Sequence, residues 1–288
     1  MAVLLDRSAR VVVLGATGAY GRAQVATMRA AGTRIVASVS AGRGGETIDE
    51  VAAFDTVADA VAATGADTAM LYTPAGGARG ALVECADAGL GLAAVAAEFV
   101  PLHDSLYALA YARERGLWVV GPNSLGMITP EQALLGSIAP GFTRPGRVGV
   151  IGRSGTLTIT TSRILSRAGI GQSTAVHIGG DALAGRNPHE WLRAFLDDPA
   201  TDAVAYLGEI GGGKEYAMLD LVAAATKPVV ALIVGRHAPV GKRMGHAGAL
   251  VGGERETAAA KRAALAEAGA RVADSPMMVA DLLAEFAT

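Results

Sequence analysis

The sequence predicts a two-domain α/β protein in which each half is a doubly wound, mostly parallel sheet covered by helices. Three observations carry that expectation. Short β-branched runs alternate with Ala-rich segments of helical length along the chain, the order that parallel strands with helical crossovers require. The composition is 51% hydrophobic but only 5% aromatic, with 38 glycines among 288 residues. Ala, Val and Leu therefore supply the apolar mass, as in strands buried on both faces. The alternation breaks once, between Gly121-Pro-Asn-Ser-Leu-Gly126 and Ile138-Ala-Pro-Gly-Phe-Thr-Arg-Pro-Gly146, where Gly and Pro cluster and no long helical period is visible. That break reads as a crossing between domains. The expected division is 1–124 and 125–288, and the length has room for two cores.

Taken in order, Arg10-Val-Val-Val-Leu14 reads as the first strand, and the segment from about Tyr20 to Ala31 as the first helix. Strands follow at 34–39, 68–72, 92–97 and 117–120, with helices marked by Val57-Ala-Asp-Ala-Val61 and Gly80-Ala-Leu-Val-Glu-Cys85. Beyond the break a second series runs through 147–151, 173–177, 203–207, 229–233 and 271–273, with a helix at 189–196. No repeat of fixed period and no low-complexity tail interrupts it.

The formal net charge is −2 and there is no basic run, so neither nucleic acid nor an anionic membrane is an expected partner. Cys85 is the only cysteine, which excludes an internal disulfide and a cysteine metal cluster; no metal site is expected in this chain. The first eight residues lack the basic and long apolar regions of a signal peptide. Apolar runs such as Pro228-Val-Val-Ala-Leu-Ile-Val234 are too short to span a bilayer. A cytoplasmic protein is expected.

Two turns look built for anions. Gly15-Ala-Thr-Gly-Ala-Tyr-Gly21 links the first strand to the first helix, and glycines there let a diphosphate approach the amides of a helix N-terminus. Its spacing is Gly-x-x-Gly-x-x-Gly, a weak nicotinamide signal. After the second strand, Ser38-Val-Ser-Ala-Gly-Arg-Gly-Gly45 offers no carboxylate for ribose hydroxyls. Arg43 there would accept a phosphate, as in NADP or coenzyme A; the alternative is a solvated loop cation. In the second half, Arg147-Val-Gly-Val-Ile-Gly-Arg-Ser-Gly-Thr-Leu-Thr158 reads as strand, turn and helix start. Ser154 and Thr156 can cap that helix and face an anion. Further turns, Ile178-Gly-Gly-Asp181 and Gly208-Glu-Ile-Gly-Gly-Gly213, follow strand carboxyl ends, the edge at which ligands gather in open α/β sheets.

Gly241-Lys-Arg-Met-Gly-His-Ala-Gly248 sets His246 among small and basic residues. A neutral imidazole in such a loop can accept and hand on a phosphoryl group, although the segment alone also suits a histidine with ordinary hydrogen bonds. Glu209 is the right kind of residue to orient that ring by accepting its second N–H.

These segments, with Gly121-Pro-Asn123, Gly126 and Ile128-Thr-Pro130, resemble in order the α-subunit of succinyl-CoA synthetase and related nucleotide-dependent acid–CoA ligases. The resemblance covers nearly the whole chain. It implies a Rossmann-like CoA-binding domain followed by a flavodoxin-like doubly wound domain. It implies that His246 is the phosphohistidine, that Glu209 holds its ring, and that Ser154, Gly155 and Thr156 stabilise the phosphate through helix N-terminal amides. Thr17, Gly18, Ala19 and Tyr20 would cradle CoA phosphates, Arg43 would stand where the family has lysine, and Ala96, Ala97 and Glu98 would line the CoA groove. Coenzyme A would be a substrate. An ATP-grasp β-subunit, in an αβ or α2β2 complex, would bring ATP or GTP with Mg2+.

Three departures from the family pattern stand out, and the last bears on the acid. Ser124 replaces the usual Cys beside Asn123, Arg43 replaces Lys, and Ile159-Thr160 replaces Tyr-Glu near the acid substrate. Losing the tyrosine removes a polar handle, so the small carboxylic acid stays open between succinate and a malate-type, longer or less polar relative. Two other readings compete. An NADP-dependent reductase fits the glycine turn and Arg43 but leaves the histidine loop and second domain unexplained, and no Tyr-x-x-x-Lys pair is visible. A non-catalytic CoA-binding paralogue sits poorly with the retained His246, Glu209 and Ser154.

Overall fold

A computed structural model describes residues 3–239, 241, 244–246 and 248–287. Its contacts divide the chain into two compact units, 4–138 with 183–185, and 139–182 with 186 onward.

The first unit runs β1 (Arg10–Leu14), α1 (Ala19–Ala30), β2 (Arg34–Val39), β3 (Thr47–Ile48), β4 (Val51–Phe54), α2 (Val57–Thr64), β5 (Thr68–Leu71), α3 (Ala78–Asp87), β6 (Leu92–Val95), α4 (Leu102–Glu114) and β7 (Trp118–Val120). The sheet order is β3-β4-β2-β1-β5-β6-β7. Every neighbouring pair is parallel except β3 with β4. Strand order reverses between β1 and β5, so the loops leaving their carboxyl ends diverge and open a crevice, the binding position of a Rossmann-like sheet. Val12, Leu14, Leu71, Ala93 and Val95 from these strands form the core with Val57, Leu82 and Cys85 from the helices. Both faces of the central strands are covered, which is why they read as continuous apolar runs.

Helix α4 is absent from the sequence expectation, and its burial explains why. Its buried residues are Ser105, Ala108 and Ala112, while Leu102, Leu106 and Tyr107 are exposed. The fully buried positions are all small, three large apolar residues face outward, and Leu109 and Tyr111 are only partly buried against the core, so the periodicity that reveals a surface helix is blurred.

The Gly- and Pro-rich crossing holds an antiparallel hairpin, β8 (Gly126–Thr129) with β9 (Ala133–Gly136). Thr33 ties it to the first unit: its hydroxyl donates to the Leu134 carbonyl at 2.7 Å and accepts from the Leu134 amide at 2.9 Å, both buried. Compact packing therefore divides the chain after Ile138, whereas the sequence reading divides it after Ser124.

The second unit runs β10 (Pro145–Gly152), α5 (Gly155–Arg167), β11 (Gln172–His177), α6 (Pro188–Asp197), β12 (Ala203–Glu209), α7 (Leu219–Ala224), β13 (Val229–Val234), α8 (Ala258–Glu267), β14 (Arg271–Ala273) and α9 (Pro276–Leu282). These strands are parallel in the order β14-β13-β12-β10-β11, a flavodoxin-like order whose reversal falls between β10 and β12. Helix α6 buries Pro188, Trp191, Leu192 and Phe195, one stripe at helical spacing. The Phe195 ring lies on Gly149, where a Cβ would come within 2.3 Å of it.

The turn from β10 into α5 depends on a second glycine. A Cβ at Gly152 would lie 1.9 Å from the Thr158 hydroxyl, which is held by the Ser154 carbonyl at 2.7 Å. Gly152→Ala should therefore push the helix start off the strand and cost about 1–3 kcal/mol, as overpacking does. At Gly18 a Cβ would meet nothing within 4 Å, and Gly18→Ala should cost clearly less. Urea midpoints of the two variants, at unchanged slope, check the difference.

Candidate functional site

Strand β12 ends at Glu209, and the chain then turns through Gly211 and Gly212, both at positive φ. The Glu209 side chain is buried, 6% exposed, and receives the imidazole of His246. His246 Nδ1 lies 2.7 Å from Oε2 of Glu209. A carboxylate only accepts, so Nδ1 carries the proton and Nε2 is left as the nitrogen that can act on a ligand. The ring is about a quarter exposed, enough for access. The Glu209 hydrogen bond raises the His246 pKa above its ordinary value, against desolvation, which lowers it.

Local backbone bonds hold the loop. His246 N donates to the Met244 carbonyl at 3.0 Å, Met244 N to Ala249 at 2.9 Å, and Ala249 N to His246 at 3.2 Å. Lys242, Arg243 and Ala247 of this segment lie outside the described residues. The loop fits closely against its surroundings: a Cβ on Gly248 would sit 3.0 Å from the Arg153 guanidinium and 3.8 Å from the Ala182 Cα. A cleft of about 340 Å³ opens beside it, lined by Glu209, Val234, His237, Met244 and Ala249 among others.

The other carboxylate oxygen of Glu209, Oε1, faces Nη2 of Arg153 at 3.4 Å, and both side chains are nearly inaccessible. Arg153 follows β10 directly, and the next residue, Ser154, is the N-cap of α5 with its hydroxyl accepting from Leu157 N at 3.4 Å. Gly155 and Thr156 open the helix, where first-turn amides have no helical carbonyl to bond. Thr156 is exposed, and the side-chain cap is Ser154 alone. Ile159 is half-buried one turn further along α5. The chain His246, Glu209, Arg153, Ser154 thus joins the ends of β12 and β10 at the point where strand order reverses, the position expected of a ligand site.

Several side chains here escape sequence reasoning. Arg153 reads there only as a turn residue. His177, at the end of β11, gives its Nε2–H to the Arg153 carbonyl at 3.1 Å, and burial pushes its pKa down to about 4, so it stays neutral. Lys261 on α8 is fully buried. Its one sequence signal is register: Ala258, Lys261 and Leu265 share the inward face of α8. Lys214 donates to the Ala182 carbonyl at 3.0 Å, and burial lowers its pKa to about 8.

In the first unit, Thr17 lies in the turn into α1, Gly18 is its N-cap, and Ala19 and Tyr20 open the helix. Gly15, at φ 76°, permits the turn; a Cβ there would lie 2.9 Å from the Thr73 amide after β5. Gly21 lets α1 pack down, since a Cβ would lie 2.7 Å from the Ala16 Cα. Tyr20 is exposed and meets the Tyr72 ring edge-on at 5.9 Å. Ala96, Ala97 and Glu98 follow β6; the Ala97 carbonyl accepts from Asn123 N at 2.8 Å, and Ser124 Oγ accepts from Gly126 N at 2.8 Å. Arg43 is bonded to Glu46, with Nη2 at 2.6 Å and Nε at 2.9 Å from one carboxylate oxygen. Asp55 at the end of β4 accepts from the Gly44 amide at 3.0 Å. The loop after β2 therefore has two carboxylates beside it, from just beyond the stretch that reads as free of them.

Comparison with known proteins agrees with this architecture. The family model described as CoA binding domain matches residues 6–99, and that described as CoA-ligase matches 151–271. Succinate–CoA ligase [ADP-forming] subunit alpha 2 of Archaeoglobus fulgidus is 42% identical over 286 residues, covering 99% of this chain and all of that one. The corresponding alpha subunit of Aquifex aeolicus is 39% identical over 289 residues, 99% of this chain and 95% of its own. Among solved structures, ATP citrate lyase of Methanothrix soehngenii, in complex with citrate and coenzyme A, superposes with a TM-score of 0.87 at 28% identity. That match covers 97% of this chain, which spans about half, 51%, of the lyase. Among the described residues, no helix is long and apolar enough to cross a membrane. With two family models and near-complete relatives in agreement, the chain belongs to the α-subunit family of ADP-forming succinate–CoA ligases, which are nucleotide-dependent acid–CoA ligases.

Proposed function

We propose that His246 is the phosphoryl carrier of this ligase and that Glu209 and the N-terminus of α5 are its working partners. The 2.7 Å contact between His246 Nδ1 and Glu209 carries the reading. With Nδ1 occupied, the Nε2 lone pair attacks the terminal phosphorus of a nucleoside triphosphate; the bond to the departing diphosphate breaks as the P–N bond forms. Glu209 keeps the Nδ1 proton and stabilises the positive charge that the ring acquires. The amides of Gly155 and Thr156, with the dipole of a 13-residue helix, offset the charge on the phosphoryl oxygens. A carboxylate oxygen of the acid then takes the phosphoryl group and returns neutral imidazole. Finally the CoA sulfur attacks the acyl carbon and expels phosphate, leaving the thioester.

In this proposal CoA binds the first unit. Its phosphates lie over Thr17, Gly18, Ala19 and Tyr20 with Arg43 alongside, and its chain runs past Ala96, Ala97 and Glu98. Nothing lies within 4 Å of a Cβ built on Gly18, which leaves space for an anion at the N-terminus of α1. Arg43 would exchange the Glu46 carboxylate for a phosphate, since exposed ion pairs of this kind are weakly held. Asn123, Ser124 and Ile159 would shape the acid neighbourhood, where Ile159 favours an acid with an apolar or extended body. An ATP-grasp β-subunit would supply ATP or GTP with Mg2+ in an αβ or α2β2 assembly in the cytoplasm, because the chain has no Gly-x-x-x-x-Gly-Lys-Ser/Thr loop of its own.

Labelled nucleotide added to the assembled complex should leave an acid-labile, base-stable label on this chain, and none on the His246→Asn variant; label persisting there would refute the assignment. Attack needs neutral imidazole, and Glu209 raises the pKa, so the acid limb of phosphohistidine formation should lie above pH ~6.5, the ordinary imidazole value. Glu209→Gln should slow the step and move that limb to lower pH; a shift the other way counts against the pairing. Arg43→Ala should weaken CoA binding about tenfold to a hundredfold, the range for a charge-assisted contact, and leave histidine labelling intact. Calorimetry should find that the isolated chain binds CoA, while thioester appears only on adding the partner.

A further inference from the structure

Lys261 is a fully buried cation in the middle of α8. Its ammonium has three N–H donors, and three oxygens surround it: the Glu209 carbonyl at 2.9 Å, the Gly211 carbonyl at 2.7 Å and Oε2 of Glu215 at 2.7 Å. Glu215 is itself buried and accepts from the Tyr206 hydroxyl at 2.8 Å through its other oxygen. Burying an ion pair in this way seldom adds stability over a well-packed apolar pair. The placement of this one is informative, because two of its three acceptors are the backbone carbonyls on either side of Ile210, where β12 gives way to the turn.

That segment bears on His246 from two directions. Glu209 supplies the carboxylate that holds the ring. Gly211 abuts the chain just after it: a Cβ on Gly211 would lie 2.1 Å from the Gly248 carbonyl and 2.8 Å from the Leu250 amide. The Gly211 amide is held in turn by the Glu256 carbonyl at 2.9 Å. A rotation of the 209–211 peptides would carry the carboxylate and the loop support away together. From this we infer that Lys261 is a positioning residue for the phosphoryl-transfer site, an ammonium clamp that fixes the end of β12 so that Glu209 meets His246 Nδ1. The inference rests on the proposed role of His246 for its importance, but the clamp is defined by geometry alone.

Titration of His246 tests the clamp without any turnover. Among the described residues, the other charged or titratable groups acting on the ring are Arg153 from the end of β10 and Asp181 from the turn after β11, with neutral His177 nearby. None of them is altered by changing Lys261. The full chain, labelled in its histidine rings and followed by NMR, should show the His246 pKa above ~6.5. In Lys261→Met it should fall back toward that value. The double variant Lys261→Met with Glu215→Gln removes the orphaned buried anion, protecting the fold, and should show the same fall. Lys261→Arg keeps the charge but not the single three-donor centre, and should lie between. Thermal melting and CoA binding serve as controls for folding. If the folded variants melt lower while His246 titrates as in the parent, Lys261 is structural only and the inference fails. Absence of phosphohistidine in the parent complex would instead count against the proposed function, leaving the titration result as it stands.

Discussion

The buried carboxylate of Glu209 is the constraint around which the second unit is organised. An anion removed from water at the end of a strand is costly unless its oxygens find partners. One oxygen meets the His246 ring at 2.7 Å and the other the Arg153 guanidinium at 3.4 Å. This arrangement sets the tautomer of the histidine, brings its loop to the sheet edge, and links it to the helix that Ser154 caps. Arg153 in turn anchors His177 through its backbone carbonyl. Removing the carboxylate would leave a buried guanidinium without its counter-charge as well as an unheld imidazole.

The two units share one topological device. Each reverses strand order once, between β1 and β5 in the first and between β10 and β12 in the second, and each sets a helix N-terminus beside the reversal. Glycines make those turns possible by close approach: Gly15 to the chain after β5, Gly152 to Thr158 on α5. The first offers the backbone amides that open α1, and the loop after β2 carries the exposed Arg43–Glu46 pair. The second sets a partly exposed imidazole against buried charge, His246 on Glu209 and Glu209 on Arg153.

Much of this was legible in the chain. Strands buried on both faces announce themselves as β-branched runs, and glycine turns following them mark the ligand edges, so β1, β2, β5 and the five parallel strands of the second unit stand where the periodicity puts them. His246 and Glu209 could be paired because one is a lone histidine in a glycine-rich loop and the other a carboxylate beyond a strand end. Helix α4 was not legible, since its fully buried residues are Ser and Ala while Leu102, Leu106 and Tyr107 face outward. The hairpin β8–β9 was hidden by the very glycines that permit it: a Cβ on Gly126 would lie 1.7 Å from the Leu135 carbonyl, and Gly and Pro together read as an irregular crossing.

By itself the sequence determined the class of fold, the order of the main parallel strands, the family, and the residue types available at each strand end, because these follow from local periodicity and from short segments in fixed order. Tertiary structure alone decided which charges share a burial site. Arg153 and Glu209, some fifty residues apart in the chain, meet because β10 and β12 are hydrogen-bonded neighbours. Lys261 reaches the Glu209 and Gly211 carbonyls because α8 packs its Ala258–Lys261–Leu265 stripe inward. A charge's partner is set by distances across the fold, and those distances exist only once the sheets have formed.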